Sequence, residues 1–219
     1  MQAPTKYPTP RLPAAIVAII AAGAFVFYLC EARTRFPDRD ISTELWRQAR
    51  YFTILTTLLV ATGFTWIVLT ARASPVWSTA LAYWIAIVGV VYHGLLARDL
   101  QGLRWWSDQA LHTIVPITVV IWWLTTGPKS GLQYWHAKLW LIWPALYMAY
   151  ALLRGEIDGR HPYFFIDPPL IGWPKVILWC VGLGGVFWLF GVLIIAMTRR
   201  FSPARLHPAN GGPCGLRPQ

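Results

Sequence analysis

A threonine and a histidine in two separate apolar segments are the side chains of this chain best suited to covalent chemistry. Thr53 lies near the start of one apolar run and His112 near the start of another. A threonine hydroxyl becomes a nucleophile when a base removes its proton, and a neutral imidazole is the usual base near pH 7. Together they would form a minimal pair for hydrolysing an ester. The competing interpretation of Thr53 is structural, since a threonine in a membrane helix commonly bonds the carbonyl one turn back.

Asp108 precedes His112 by four residues, so the two side chains share a helix face. A carboxylate bonded to one imidazole nitrogen fixes the tautomer and supports the developing cation, as the third member of a catalytic triad does. Asp108 could equally be a first-turn acid after an N-cap Ser107, stabilised by the helix dipole. Both interpretations stay open at this point.

His93 and Tyr92 end a third apolar run. Ionisable side chains within apolar spans are costly, so each is a functional candidate. Either residue could donate a hydrogen bond to the carbonyl oxygen of an ester, or could simply link neighbouring helices. The sequence names no further donor for such an oxygen.

The elements that must position these side chains are six apolar runs. A spanning helix needs roughly 20 apolar residues, and runs near that length occur at residues 13–30, 51–71, 75–97, 109–126, 135–153 and 174–197. We expect an all-α integral membrane bundle of six transmembrane helices. The predicted organisation is a Pro-rich N-terminus (1–13), a six-span membrane domain (14–197) and a disordered basic C-terminal tail (198–219).

The positions of the candidate pair within these runs predict that the two side chains lie at one depth. Odd-numbered spans end, and even-numbered spans begin, on the same side of the membrane. Thr53 is two residues into the second run and His112 three residues into the fourth. At about 1.5 Å of rise per residue, their depths agree within one helical turn. We therefore expect the two side chains just below one headgroup layer.

The composition supports a membrane protein and excludes several other classes. Hydrophobic residues make up 56% of the 219 residues and charged residues only 13%, too few to coat a soluble globule. The 19 basic residues exceed the 9 acidic ones, but in a membrane protein such residues set topology or meet lipid headgroups, so we expect no nucleic-acid partner. The three cysteines have neither metal-site nor disulfide spacing, and we expect no metal and no cofactor.

The charges of the loops are divided unevenly. With both termini on one side, nine basic residues lie on that side and ten on the other, whereas all nine acidic residues lie on the side of loops one, three and five. The positive-inside rule counts basic residues, which leaves little difference between the sides. We predict that both termini are cytoplasmic.

Five motifs in order resemble the androgen-induced family of six-span membrane proteins, and its bacterial branch in particular. They are Arg50-Tyr51-Phe52-Thr53-Ile54-Leu55-Thr56, Tyr92-His93, Leu111-His112-Thr113-Ile114-Val115-Pro116 followed by Trp122-Trp123, Trp143-Pro144, and Gly159-Arg160-His161-Pro162-Tyr163-Phe164-Phe165-Ile166-Asp167. The resemblance covers roughly residues 14–197. The last motif departs from the family, which has Pro at the position of Phe164.

The resemblance implies a hydrolase of fatty acid esters of hydroxy fatty acids, with Thr53 as nucleophile and His112 as base. It also implies a bacterial inner membrane, a lipid-ester substrate and contact with membrane lipids, while no protein partner can be inferred. The loop that contains Tyr163 and Asp167 is expected on the same side as the pair, where either residue could contact substrate. Arg50, one turn before Thr53, could hold a substrate carboxylate.

Two other classes of function compete with hydrolysis. A haem-binding electron-transfer protein could use His93 and His112 as axial ligands, although no span contains paired histidines at the usual spacing. A transporter should contain internal repeats and charged residues near the membrane midplane, and the sequence has no convincing example of either. Hydrolysis is the prediction, and these two remain alternatives.

Overall fold

The fold is all-α, as predicted. The computed structural model of the protein describes residues 6–201, so most of the predicted C-terminal tail lies outside the described residues. The helices are α1 (Arg11–Arg35), α2 (Ile41–Gln48), α3 (Phe52–Thr70), α4 (Pro75–Val91), α5 (Gly102–Gln109), α6 (Val115–Thr125), α7 (His136–Trp140), α8 (Ile142–Asp158), α9 (Pro168–Ile171) and α10 (Trp173–Phe201). Two π-helical turns, Tyr92–Leu96 and Ala110–Ile114, follow α4 and α5, and Phe164–Ile166 forms a 3-10 turn.

Four helical segments are long and apolar enough to cross a membrane: Arg11–Arg35, Phe52–Thr70, Pro75–Leu96 and Trp173–Arg200. Many of their large apolar side chains are exposed, as expected where lipid is the solvent. The other two predicted spans, residues 109–126 and 135–153, are each divided into shorter helical pieces. Membrane association is therefore supported, while six crossings stay a prediction.

The ends of the chain differ from the expected organisation. Helix α1 begins at Arg11, inside the predicted N-terminal segment, and α10 continues to Phe201, past the predicted start of the disordered tail. Before α1, strand β1 (Tyr7–Pro8) pairs antiparallel with strand β2 (Arg72–Ala73). The pairing ties the start of α1 to the end of α3.

The core lies between α1, α3, α4 and α6. Helix α1 packs along α3, α3 against α4, and α4 against α6. In the apolar part of α1 the buried face consists of small residues at helical spacing: Ala14, Val17, Ala21 and Ala24. Small side chains let helix backbones approach closely, which compensates for the lack of a hydrophobic driving force between helices in lipid.

Two prolines explain the two divided segments. Proline has no N–H to donate and its ring crowds the carbonyl four residues back. For Pro144 that carbonyl belongs to Trp140, at the break between α7 and α8, and the indole of Trp84 donates a hydrogen bond to it at 2.7 Å. For Pro116 the carbonyl belongs to His112, inside the second π-helical turn. Such turns often occur at functional sites.

Candidate functional site

The structure brings Thr53 and His112 together at one end of the bundle. Thr53 lies in the first turn of α3, and His112 lies in the π-helical turn between α5 and α6. The Oγ1 atom of Thr53 is 3.2 Å from the Nε2 atom of His112. Both side chains are largely shielded, with Thr53 only 8% exposed. The distance is within the range that proton transfer from a nucleophile to its base requires.

Asp108 determines which nitrogen of His112 carries the proton. The Nδ1 atom of His112 lies 2.9 Å from the backbone carbonyl oxygen of Asp108 and 3.4 Å from its carboxylate oxygen Oδ1. Because both oxygens only accept hydrogen bonds, Nδ1 must be the donor. In the neutral ring, Nε2 then has its lone pair directed at the hydroxyl of Thr53. His112 is therefore oriented as a base.

The charge of Asp108 is maintained by its neighbours. Burial by itself would raise the pKa of Asp108, but the hydrogen bond to His112, the interaction with Tyr92 and the charge of Arg98 together lower the pKa below its ordinary value. Asp108 thus stays ionised beside the imidazole.

Tyr92 covers one face of the His112 imidazole. Its ring stacks on the ring of His112, with centroids 3.9 Å apart and planes at 17°. Because its hydroxyl also interacts with Asp108, Tyr92 restrains both members of the hydrogen-bonded pair. The neighbouring residue His93 is exposed and its Nε2 atom is 2.9 Å from the hydroxyl of Thr113. His93 therefore links two helical segments and lies outside the two cavities next to Thr53.

The loop after α8 closes over the start of α3. The hydroxyl of Tyr163 accepts a hydrogen bond at 3.1 Å from the backbone N–H of Phe52 and also interacts with Thr53. Packing of Tyr163 among its neighbours raises its pKa to about 12. Asp167, in contrast, caps α9 by accepting a bond at 3.1 Å from the N–H of Leu170. Tyr163 thus contacts Thr53, the nucleophile candidate, whereas Asp167 shapes the loop.

Arg50 is already engaged within the protein. Its guanidinium is 2.6 Å from the Asp158 carboxylate and donates at 2.8 Å to the carbonyl oxygen of Arg160. Both partners belong to the end of α8 and the loop that follows. Arg50 therefore anchors that loop, although its side chain still lines the cavity beside Thr53.

Two cavities meet at Thr53. One, of about 610 Å³ and here called the polar cavity, is lined by six arginines and by His112 and Asp108 among others. The second, of about 520 Å³ and called the apolar cavity, lies between α3, α4, α8 and α10 and has no Asp, Glu, Lys or Arg in its lining. Four residues line both: Thr53, Tyr92, Leu96 and Tyr163. The nucleophile candidate therefore stands in the wall between a charged space and an apolar one.

The sequence did not indicate His161 or three exposed arginines of the polar cavity, Arg98, Arg104 and Arg160. The side chain of His161 is 3% exposed, its Nδ1 atom is 3.6 Å from Asp167 Oδ1, and its ring lies directly against Gly155. The signal for His161 is its place inside the motif of residues 159–167. Apart from Arg50, the arginines of the polar cavity carry no signal in the sequence, because basic residues in loops are most simply interpreted as topology determinants.

Comparisons with known proteins identify no relative of this chain. No protein-family model, no curated protein and no solved structure matches this chain. The functional interpretation therefore depends on the arrangement of the residues themselves.

Proposed function

We propose that this protein is an integral membrane esterase that cleaves a lipid ester through an acyl-threonine intermediate. The observation that carries the proposal is the 3.2 Å contact between Thr53 Oγ1 and an imidazole whose other nitrogen is bonded to Asp108. This is the arrangement of nucleophile, base and orienting group that acyl-transfer enzymes use.

The reaction has two steps. In the first, Thr53 Oγ1 attacks the ester carbonyl carbon and its proton passes to Nε2 of His112; the bond to the alcohol oxygen then breaks and that oxygen takes the proton from Nε2. In the second, water attacks the acyl-threonine, gives a proton to Nε2, and the proton returns to Thr53 as the fatty acid leaves.

Two features support stabilisation of the negative oxygen that forms in each step. The Tyr163 hydroxyl accepts a bond from the N–H of Phe52 and interacts with Thr53 and Tyr147, so it lies where it can donate its proton to a carbonyl oxygen bound beside Thr53. The first turn of α3 has no side-chain cap, and its positive end lies at Thr53. Donors placed this way act on charge that develops only in the transition state.

The resemblance to the androgen-induced family enters the proposal through the same residues. Thr53 and His112, the positions implied by that resemblance, are in contact, and the motif of residues 159–167 reaches Thr53 through Tyr163. We propose membership in the bacterial branch of that family and an ester of a hydroxy fatty acid as one candidate substrate. Geometry does not favour haem, since both ring nitrogens of His112 are bonded within the site.

The experiment is fluorophosphonate labelling of the purified protein, read by intact mass and peptide mapping. Such a reagent modifies an activated hydroxyl. We expect one adduct on Thr53, lost in Thr53→Ala and in His112→Ala. The matched controls are Thr62→Ala, a threonine of the same helix bonded to backbone carbonyls, and His93→Ala, and both should label normally.

No adduct, or an adduct that survives both substitutions, contradicts the proposal. Absorbance near the Soret region would then favour haem binding, and substrate flux into proteoliposomes that survives Thr53→Ala would favour transport.

We also propose a multi-pass location in a bacterial inner membrane, with both termini cytoplasmic. The test uses Lys6→Cys and Asp99→Cys in a chain whose native cysteines are replaced, and a membrane-impermeant maleimide on spheroplasts. Labelling of the cysteine at position 99 and protection at position 6 is expected, and the reverse pattern contradicts the orientation.

A further inference from the structure

The polar cavity carries excess positive charge. Three of its arginines are paired, Arg35 with Glu31, Arg47 with Glu44 and Arg50 with Asp158. Within residues 6–201, no carboxylate lies within ion-pair distance of the other three, which are Arg98, Arg104 and Arg160. All three are exposed at the rim.

These three arginines come from separate parts of the chain. Arg98 follows the first π-helical turn, Arg104 lies in α5, and Arg160 lies in the loop after α8. Their convergence on one cavity is therefore a product of the tertiary fold. Like charges gathered at one opening raise the electrostatic potential there and attract anions.

The acidic residues of the polar cavity are already engaged. Glu44 accepts bonds from Arg39 and Gln48, Asp108 is bonded to His112, and Asp167 caps α9 beside His161. Of these acids, only Asp108 also acts electrostatically on one of the three arginines, Arg98, and no carboxylate is paired with Arg104 or Arg160 within residues 6–201. A guanidinium binds phosphate and carboxylate oxygens through two parallel hydrogen bonds, so such a group is the matching ligand.

The apolar cavity determines which half of an ester faces the arginines. Its lining contains no charged side chain, and it opens on Thr53 from the side of α8 and α10. An acyl chain is matched to that space by the hydrophobic effect. With the scissile carbonyl at Thr53, the alcohol half of the ester must extend into the polar cavity.

We propose that Arg98, Arg104 and Arg160 form an anion-binding subsite for a phosphate or carboxylate group carried on the alcohol half of the ester. The assignment rests on the proposed esterase function. It predicts that an esterified alcohol bearing an anion is preferred over a neutral one with the same acyl chain.

The first test compares three palmitoyl esters in neutral detergent: monopalmitoylglycerol phosphate, the palmitoyl ester of a hydroxy fatty acid, and neutral monopalmitoylglycerol. We expect the triple variant Arg98→Gln, Arg104→Gln, Arg160→Gln to lower kcat/KM for at least one of the two anionic esters by about tenfold or more, equivalent to at least one charged hydrogen bond. Hydrolysis of the neutral ester should stay unchanged in the double variant Arg104→Gln, Arg160→Gln, which keeps Arg98 near Asp108 and should show the same selective loss on an anionic ester. The control is Arg72→Gln, an exposed arginine at the opposite end of α3.

Whichever anionic ester loses more activity identifies the anion as phosphate or carboxylate. An equal loss on all three esters, or none, overturns the subsite. Arginines that serve only to contact anionic lipid headgroups would give that second result.

A binding measurement separates failure of the subsite from failure of the proposed function. Full-length Thr53→Val in neutral detergent is titrated calorimetrically with glycerol phosphate, with hydroxyacetate, and with glycerol. Binding of either anion, absent for glycerol and lost in the triple variant, supports the subsite even if no ester is cleaved. If fluorophosphonate labels Thr53 but neither anion binds and neither anionic ester is preferred, the subsite is overturned. The proposed esterase function is then still supported.

Discussion

The hydroxyl of Tyr163 accepts a hydrogen bond at 3.1 Å from the backbone N–H of Phe52, the residue directly before Thr53. A loop 111 residues away in sequence is thereby fixed to the first turn of the helix that carries the proposed nucleophile. The contact gives Tyr163 a fixed position beside Thr53, from which its hydroxyl can donate a hydrogen bond to a developing oxyanion.

Replacing Tyr163 by phenylalanine should therefore reduce catalysis with little change in binding. We expect Tyr163→Phe to lower kcat by about a hundredfold, the usual loss for one oxyanion donor, with KM nearly unchanged. The measurement is steady-state ester hydrolysis. Tyr83→Phe, which removes a buried hydroxyl bonded to the carbonyl oxygen of Phe187, is the matched control. A loss of the same size in the control, or a change confined to KM, would contradict the role.

Asp108→Asn should have a smaller effect than the loss of an acid from an ordinary triad. His112 Nδ1 is nearer to the backbone carbonyl of Asp108 than to its carboxylate, and that carbonyl survives the substitution. The tautomer is therefore preserved, and we expect kcat to fall by about tenfold, well short of the roughly 10⁴-fold loss seen when the tautomer is wrong. Asp99→Asn, an exposed loop acid, should have no effect. A loss as large as that of His112→Ala would show that the carboxylate alone orients the ring.

The charge of Asp108 also predicts a pH dependence of stability. Its pKa is lower in the folded protein than the ordinary 3.8, so ionised Asp108 stabilises the fold above that value, and this contribution is lost as the pH falls through the folded pKa. The difference in Tm between wild type and Asp108→Asn should be constant above about pH 5 and shrink below it. Thermal unfolding in detergent across this range measures it. A difference that grows toward acid would have the wrong sign.

Pro116→Ala should lower activity while leaving the fold intact. Alanine restores an N–H that can reach the carbonyl of His112, which favours a regular helix over the π-helical turn that now presents the imidazole to Thr53. We expect kcat to fall about tenfold or more with Tm unchanged or raised, because a small displacement of a catalytic group is costly. Pro144→Ala is the comparison, since the freed carbonyl of Trp140 is already bonded by Trp84. Full activity in Pro116→Ala would show that the turn does not depend on the proline.

Gly155→Ala should disturb the loop through His161. A Cβ atom at position 155 would lie 2.2 Å from Nε2 of His161, so the ring must move. Overpacking of this kind costs about 1–3 kcal/mol of stability. The double variant Gly155→Ala, His161→Ala should recover part of the lost Tm, and Gly182→Ala, where nothing lies within 4 Å of the new Cβ atom inside α10, should leave Tm unchanged or raise it. Additive losses in the double variant would contradict the contact.

The proximity of Thr53 and His112 could be predicted from the sequence, because the position of a residue along the bundle follows from counting residues along a helix. The sequence could not place Arg50, whose partner Asp158 is 108 residues away, since pairing between loops depends on how the helices pack. For the same reason, the sequence could not predict that Arg98, Arg104 and Arg160 line one cavity. The all-α class followed from composition, whereas the division of two apolar runs arises at single prolines and in one case needs Trp84 from another helix.

Thr53 stands in the wall between the two cavities, and in the proposed esterase this position gives the two products separate exits. After the first step the alcohol can depart from the polar cavity while the acyl group stays bonded to Thr53 in the apolar one, so the fatty acid must be the second product. The space vacated by the alcohol is also the route by which water reaches the acyl-threonine. An added alcohol that enters the same space should compete with water and receive the acyl chain, giving the protein acyltransferase activity whose yield rises with the concentration of that alcohol.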